Sequence, residues 1–384
     1  MQETIESRRP ALFLKNRIKM RSETTHIRYD ISTNDIKWLR RYLRNAAPSG
    51  KEIHGQQMWL DYVAPFCDTY MTDKYGNAVA VINPQHKFKV ILEAHADEIA
   101  WYVHTITKDG FLHVKKNGGA DPGIAPSQKV RIHTETGEVA GIFGWPAVHT
   151  RISNPKEPKP DTIFVDCGCS SRSQVENLGI QVGDCITYDS NLSIMNDEYF
   201  VGRGQDNKMG GYMIATVARL LKENEVDLPY GLYLANSVQE EVGLHGAGMI
   251  AHTIRPDCAI VTDVTHATRT PLIDRKKEGD IDLDKGPVIT KAPSIHNKLR
   301  ELIMATARDL EIPHQLAVSS RKTGTDADAF AYVRSGIPSA LISLPLRYMH
   351  TTVETTHKRD IERMIHLLYA VVKTIRPDFD FKYF

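Results

Sequence analysis

The chain has 384 residues, which is long for one ordinary domain and enough for two. Hydrophobic residues make up 41% of it and charged residues 25%, a balance that excludes disordered, collagen-like and coiled-coil chains. Lysine plus arginine (48) nearly equals aspartate plus glutamate (47), so the formal net charge is only +1. A charge this small does not attract nucleic acid or an anionic membrane, and we expect neither as a partner.

The cysteines and the N-terminal sequence bear on location. Five cysteines without a C-x-x-C pair fit a reduced intracellular compartment better than secretion. The N-terminus lacks the apolar stretch of a signal peptide, and no run approaches about 18 consecutive apolar residues. We therefore expect a cytoplasmic protein. Residues 1–31, which carry a loose cluster of arginines and lysines, are predicted to form a mobile N-terminal extension.

The first predicted element is an amphipathic helix that begins at about Ser32 and ends at the sequence APSG, residues 47–50. Short apolar strands follow at 78–82 and 88–93. The pattern then changes to short β-rich runs separated by Gly, Pro and Asp, without a convincing helix longer than two turns. Residues 105–193 are therefore predicted to form a small β-rich domain that is inserted into another domain.

Strands and helices alternate from residue 201 onward. This alternation predicts an α/β fold with a mostly parallel sheet between two layers of helices. The strand at 88–93 has the same apolar texture, so the α/β domain is predicted to be discontinuous and to cover 32–104 and 194–384. The predicted strands lie at 231–238, 257–261, 314–319 and 339–344, and the predicted helices at 209–221, 247–254, 295–310, 326–334 and 358–375.

Histidine and carboxylate side chains stand at or near the ends of several predicted strands, where α/β sheets bind their ligands. Two imidazoles and five carboxylates make a mixed nitrogen and oxygen set that suits a pair of divalent metal ions. Each has a structural alternative, since a lone histidine is more often a hydrogen-bonded core residue and an aspartate can cap a helix. Several carboxylates placed in one cleft by apolar strands repel one another and need cations to compensate their charge. This favours a metal site over the structural alternatives. The residues are His95, Asp97, Asp206, Glu240, Glu241, Asp263 and His350.

Their spacing suggests a division of roles. Glu240 and Glu241 are adjacent, and adjacent residues of an extended chain point to opposite sides, so one can bind metal while the other is a free base. His95 and Asp97 share one face of a strand, where the carboxylate can orient the imidazole. Asp206 can bridge two ions about 3.5–4 Å apart.

Six collinear strings resemble the M42 family of dinuclear metallo-aminopeptidases, which includes glutamyl aminopeptidases, TET-type peptidases and proteins once labelled cellulase M or endoglucanase. The similarity extends from about Ile36 to the C-terminal helix, in the family's order. The inserted β-rich block also lies where the family carries its PDZ-like or barrel-like dimerisation domain. The strings are AHADEIAW (94–101), GRGQDNKMGG (202–211), VQEEVGLHGA (238–247), VTDVTHAT (261–268), KTGTDADAF (322–330) and LPLRYMHTTVE (344–354).

This resemblance implies a zinc-peptidase-like catalytic domain that hydrolyses the N-terminal peptide bond of short peptides with a water activated by two metal ions. Zn²⁺ or Co²⁺ are the ions expected, with Mn²⁺ as a further candidate. A homo-oligomer built from dimers is also implied, up to a dodecamer. The implied roles are first-metal ligands His95 and Asp263, second-metal ligands Glu241 and His350, the bridging carboxylate Asp206, the general base and acid Glu240, and Asp97 behind His95.

The sequence departs from the family pattern at positions that are not proposed ligands. The family usually has Met and Gly where Ala96 and Ala100 stand here, and Asp-Arg where Asn207 and Lys208 stand. We expect these differences to act on the shape and charge of the pocket. Thr325 and Asp326, just before a predicted helix, are candidate substrate-binding residues, and helix capping is an equally good interpretation of both.

Three other functions are alternatives to an aminopeptidase. A glycoside hydrolase needs two carboxyl groups facing each other across a sugar, usually with aromatic platforms, but the four tryptophans are scattered along the chain. A related dinuclear deacylase or carboxypeptidase would use similar ligands, and differs from the family in the position of the inserted domain. A peptide-binding scaffold without activity would have no need to retain the proposed base, Glu240.

Overall fold

The computed structural model describes residues 29–151 and 157–384. Most of the predicted N-terminal extension, residues 1–28, lies outside the described residues, as do residues 152–156. Ile31 is buried in the core, and its main-chain NH donates to Glu362 at 2.9 Å. Ile31, the last residue of the predicted extension, is therefore part of the folded protein.

Nine α-helices and one 3₁₀ turn, Ala64–Phe66, are found in the described residues. None of the helices in this part of the chain is both long enough and apolar enough to span a membrane. The helices are α1 (Thr33–Arg44), α2 (Ile53–Val63), α3 (Arg172–Asn177), α4 (Gln205–Glu223), α5 (His245–Ile254), α6 (Arg275–Glu278), α7 (Asn297–Asp309), α8 (Asp326–Ala331) and α9 (Lys358–Thr374).

The strands form an eight-stranded sheet, a closed six-stranded barrel and a three-stranded sheet. In chain order they are β1 (Thr69–Thr72), β2 (Ala78–Ile82), β3 (Lys89–His95), β4 (Ala100–Ile106), β5 (Phe111–Asn117), β6 (Lys129–Thr134), β7 (Gly137–Phe143), β8 (Phe164–Asp166), β9 (Cys185–Tyr188), β10 (Ser193–Met195), β11 (Tyr199–Val201), β12 (Gly231–Ser237), β13 (Cys258–His266), β14 (Val288–Lys291), β15 (Gln315–Val318), β16 (Ser339–Leu346) and β17 (Thr355–His357).

The large sheet has the strand order β1-β2-β12-β3-β13-β16-β14-β15. Its four central strands are parallel to one another, as predicted, and β14 is parallel to β15. The three other pairings, β1 with β2, β2 with β12 and β14 with β16, are antiparallel, so the sheet is mixed towards its edges. Near β2 the reason is local, because the short connections at 73–77 and 83–88 reverse the chain without a crossover helix.

Alternate side chains of the central strands enter two different cores, since successive residues of a strand point to opposite faces. In β12, Leu232 and Leu234 pack with α1, α2, α4, α7 and α9 on one face. Tyr233 and Ala235 pack with α5 and α8 on the other face. The predicted α/β class, with a large sheet between two layers of helices, is therefore confirmed.

The barrel closes in the order β4-β5-β8-β7-β6-β9, and its pairings are antiparallel. Trp101, Leu112, Ile132 and Phe143 are among the side chains that fill its interior. The first barrel strand begins at Ala100, before the predicted boundary at residue 105. The barrel strands lie between β3 and β10 in the chain. The large sheet is therefore interrupted in sequence by the barrel and continues with β12.

Candidate metal centre

The four central parallel strands end at the same edge of the sheet, and the predicted site residues gather there. β3 ends at His95, whereas Glu240 and Glu241 follow β12 and His350 follows β16. Asp263 lies inside β13 and not after it, because that strand pairs with β16 as far as His266. The structure therefore brings together the seven residues predicted from sequence, His95, Asp97, Asp206, Glu240, Glu241, Asp263 and His350.

Asp206 lies between the two imidazoles. Its Oδ1 is 3.2 Å from Nε2 of His95, and its Oδ2 is 3.2 Å from Nε2 of His350. Around His95, Nε2 is 3.7 Å from Oδ1 of Asp263 and 4.0 Å from Oε2 of Glu240. Around His350, Nε2 is 3.3 Å from Oε1 of Glu241. One carboxylate thus offers an oxygen to each of two histidine clusters, which is the position of a bridging ligand.

The donor atoms fit two divalent cations. His95, Glu240 and Asp263 each offer a ligand atom within 4.8 Å of the others, and Asp206, Glu241 and His350 do the same. Four carboxylates and two imidazoles in a largely buried space would leave an excess of negative charge, which cations offset. Imidazole nitrogen and carboxylate oxygen are ligands of Zn²⁺, Co²⁺ and Mn²⁺ alike, so the donor set is compatible with all three ions.

The protonation of these groups shows how strongly they interact. Burial raises the pKa of Glu240 to about 10, and nearby Asp263 adds to the shift against the opposing effect of His95. Burial would lower the pKa of His350, but its hydrogen bonds with Asp206 and Glu241 outweigh this and raise it to about 11. A cation that binds these nitrogen and oxygen atoms must displace their protons.

Asp97 supports the centre through the main chain as well as through His95. Its Oδ1 is 3.5 Å from Nδ1 of His95, and its main-chain oxygen is 3.2 Å from the same nitrogen. The main-chain NH of Glu240 donates to Oδ1 at 3.0 Å, and that of Glu241 donates to Oδ2 at 3.2 Å. Ser49 Oγ donates to Oδ2 at 2.6 Å. The Asp97 carboxylate therefore holds the adjacent glutamates in place.

Glu354 has a similar supporting position that we did not predict. It is buried, and its carboxylate accepts hydrogen bonds from the main-chain NH groups of His350 at 2.9 Å and Gln205 at 2.8 Å. The main-chain NH of Asp206 is 3.3 Å from the same carboxylate. Glu354 thus joins the start of α4, which carries Asp206, to the loop that carries the partly exposed His350. The signal available in sequence was a glutamate four residues after His350.

Asn207 and Lys208, the departures that follow Asp206, are fully buried. Asn207 Nδ2 donates to the main-chain oxygen of Thr262 at 2.8 Å, and Lys208 Nζ donates to Oε1 of Glu98 at 2.6 Å. Arg203 pairs with the other oxygen of the same glutamate. These side chains therefore make internal contacts that anchor the start of α4, where Asp206 lies.

Thr325 and Asp326 have structural contacts. Thr325 is the N-cap of α8, and its hydroxyl accepts from the main-chain NH of Ala327 at 3.3 Å. Asp326 is buried, and its Oδ2 accepts from Ser237 Oγ at 2.7 Å; the same hydroxyl is 2.6 Å from Oε1 of Glu93. Capping thus accounts for Thr325, and an internal hydrogen-bond network accounts for Asp326. Substrate contact by either residue stays a prediction.

The centre is open on one side. The side chain of His350 is 29% exposed, whereas that of His95 is 2% exposed. The His350 half of the centre is therefore more accessible from outside than the His95 half.

Carboxylates and imidazoles gathered at one edge of an α/β sheet are typical of a metal-dependent enzyme. A family model described as M42 glutamyl aminopeptidase matches residues 76–367. Lysyl aminopeptidase of Pyrococcus furiosus is 34% identical over 353 residues, covering 89% of this chain and 98% of that relative. The chain therefore belongs to the M42 peptidase family, and it is a metal-dependent aminopeptidase.

Solved structures agree with this assignment. The TET aminopeptidase from the marine sediment archaeon Thaumarchaeota archaeon SCGC AB-539-E09 has a TM-score of 0.86 at 28% identity, covering 90% of this chain and 98% of that one. The TET1 peptidase of Pyrococcus horikoshii, which can assemble into a tetrahedron or a large octahedral shell, has a TM-score of 0.79 at 27% identity, covering 88% and 99%. The glycoside hydrolase alternative is not supported by the family or by the site.

Proposed function

We propose that the enzyme removes the N-terminal residue of short peptides, using two divalent cations held at the carboxyl edge of the sheet. His95 and Asp263 bind the first ion, Glu241 and His350 bind the second, and Asp206 bridges them. The observation that carries this proposal is the position of Asp206, with one oxygen 3.2 Å from each imidazole. Zn²⁺ or Co²⁺ are the ions proposed, with Mn²⁺ as a further candidate.

Such a pair of cations, when bound, supplies a water of lowered pKa and positive charge at the carbonyl oxygen of the scissile bond. Glu240 accepts the proton of the attacking water and donates it to the leaving amine as the C–N bond breaks. Its main-chain NH is fixed by Asp97, which keeps the carboxylate beside His95. Asp97 also sets the orientation of the His95 ring.

The proposal is tested with chelated enzyme and a panel of aminoacyl chromogenic substrates, to which Zn²⁺, Co²⁺ or Mn²⁺ is added back. We expect activity to return with two equivalents of metal per chain and to require a free α-amino group. Cleavage of amino-blocked peptides at the same rate as free peptides would instead indicate the deacylase or carboxypeptidase alternative. Activity that is unaffected by the chelator would contradict the metal-dependent chemistry.

We also propose a homo-oligomer in which the barrel, strands β4 to β9, is the dimerisation domain. The similarity to a TET1 peptidase that forms a tetrahedron or an octahedral shell supports this assembly, and a dodecamer is the size proposed. Light scattering coupled to gel filtration tests it, since a monomer at micromolar concentration would contradict it. A cytoplasmic location is part of the proposal, supported by five cysteines that are all free.

A further inference from the structure

A corner of the barrel touches the second half of the metal centre. Strand β5 ends at Asn117, and Gly118 and Gly119 follow it. A Cβ atom on Gly119 would lie 2.5 Å from Nδ1 and 2.7 Å from Cε1 of His350. A Cβ atom on Gly118 would lie 3.2 Å from Cβ of Glu241. The main chain of this corner therefore forms a wall against the two side chains proposed to hold the second cation.

A side chain is disfavoured at these two positions for different physical reasons. Gly118 has a φ of +69°, a backbone conformation that disfavours any side chain at that position. Gly119 lies outside the positive-φ region, so its only obstacle to a side chain is the imidazole of His350. Position 119 thus allows a substitution that acts on His350 through contact alone, without a conformational penalty in the loop.

A second route joins the same corner to the centre. The Asn117 Nδ2 group donates to the main-chain oxygen of Ser49 at 2.9 Å, and Tyr102 of β4 donates to the same oxygen at 3.1 Å. Ser49 Oγ in turn donates to Asp97, whose carboxylate holds the main chain of the adjacent glutamates. The barrel therefore reaches Glu241 both by direct contact and through Ser49 and Asp97.

We propose that the corner Asn117–Gly118–Gly119 is a positioning element of the second cation site, with Gly119 setting the ring of His350. This inference rests on the proposed two-metal function. His350 needs such support because it lies in a loop, has a φ of 62° and is partly exposed. Its ring is bounded by Asp206 and Glu241 at Nε2 and by the Gly119 main chain at the opposite nitrogen.

The test is Gly119→Ala, with Gly248→Ala as the matched control. Gly248 lies in α5, and a Cβ atom there would meet nothing within 4 Å. Chelated full-length proteins are titrated with Co²⁺ by calorimetry and by visible absorption. We expect Gly119→Ala to weaken one of two Co²⁺ sites by about 10- to 100-fold and to alter the absorption of that ion, as loss of ligand support does elsewhere. The other site and the Gly248→Ala protein are expected to match the wild type within about twofold.

A double substitution separates contact with His350 from a general effect on the barrel. In a His350→Ala background the ring is gone, so Gly119→Ala is expected to cause no additional loss of Co²⁺ affinity. An equal loss in both backgrounds would overturn the inference, as would two wild-type Co²⁺ sites with unchanged absorption in Gly119→Ala. Both results leave the two-metal aminopeptidase intact, whereas a wild-type protein that binds fewer than two Co²⁺ ions would overturn the proposed function as well.

Asn117→Ala provides an independent test if Gly119→Ala does not fold, because it removes atoms and adds none. Loss of the bond to Ser49 is expected to loosen the hydrogen bonds that Ser49 and the main chain of Glu240 make with Asp97. We expect this to lower kcat by about 10-fold or more, with KM changed by less than about threefold. The Co²⁺ absorption is expected to change in parallel. Wild-type kcat together with a wild-type Co²⁺ spectrum in this variant would overturn the inference.

Discussion

The main-chain NH of Glu240 donates to Oδ1 of Asp97 at 3.0 Å, which fixes the proposed base on the same carboxylate that backs the first histidine. Asp97→Asn tests this arrangement, because an amide offers one acceptor where the carboxylate serves two main-chain NH groups and Ser49. We expect kcat to fall by about 10- to 100-fold, with weaker metal binding of similar size. Steady-state kinetics and metal titration measure both effects.

Asp121→Asn is the matched control for that substitution. Asp121 is an exposed carboxylate that accepts one main-chain NH, from Gly123 at 2.7 Å, a bond that the amide oxygen can retain. Wild-type kinetics are expected for it. If Asp97→Asn behaved as the control does, the supporting role of Asp97 would be wrong.

Glu240→Gln removes the proton acceptor and keeps the shape of the side chain. Because Glu240 is proposed as the base and not as a ligand, both metals are expected to stay bound while kcat falls by about 10²- to 10⁴-fold. Metal content per chain, measured on the same samples as kcat, separates the two effects. Near-normal turnover with two bound metals would show that another group is the base.

The two half-sites should respond differently to loss of a ligand. Asp206 contacts both imidazoles, so Asp206→Asn is expected to weaken both metals, whereas His350→Ala is expected to weaken only one. We expect a loss of more than about 100-fold at each affected site, since even residues behind the ligands cost 10- to 100-fold. Titration of chelated protein with Co²⁺ gives the number of sites and their affinities. Equal losses from both substitutions would contradict the bridging position of Asp206.

The site residues could be predicted because their chemistry is visible at the ends of apolar strands. His95 follows a buried run in β3, and Glu240 and Glu241 follow one in β12, so both groups project to the same edge. Their supports could not be found in this way. Glu354 accepts the main-chain NH of Gln205, and Ser49 donates its hydroxyl to Asp97, so both supports join segments that are distant in sequence. No spacing rule brings such segments together.

Helices and strands could be predicted where the spacing of apolar residues marks the face that is buried. Helix α2 was missed because its buried face includes Gly55 and Gln56, while Ile53 at its start is 68% exposed, so apolar residues do not mark the side that packs. In the barrel, short alternating runs predict strands, but not their order or closure, which depend on pairings between distant segments. The antiparallel outer strands of the large sheet were missed because helix–strand alternation describes only its centre.

A buried ion cluster behind the metal centre should make the protein sensitive to acid. Glu98 is paired with Arg203 and Lys208, and all three are buried. Burial raises the pKa of Glu98, but the positive charges of Arg203 and Lys208 outweigh this effect and hold the pKa at about 2, below the ordinary value of 4.5. The unfolded chain therefore takes up this proton first as the pH falls. The stabilisation is complete above about pH 4.5 and is lost as the pH falls through about 2.

Glu98→Gln is expected to lower the free energy of unfolding at pH 7 by roughly 3–5 kcal/mol, because it leaves Arg203 and Lys208 buried without a counter-charge. Urea unfolding of the chelated proteins at pH 7 and pH 3 measures this, and the difference between wild type and variant should shrink at pH 3. The control is Glu138→Gln on the barrel, since Glu138 is 47% exposed and 3.8 Å from Arg131, and a change within about 0.5 kcal/mol is expected there. Equal stability of the wild type and Glu98→Gln at pH 7 would mean that the cost of burying the three charges cancels their attraction.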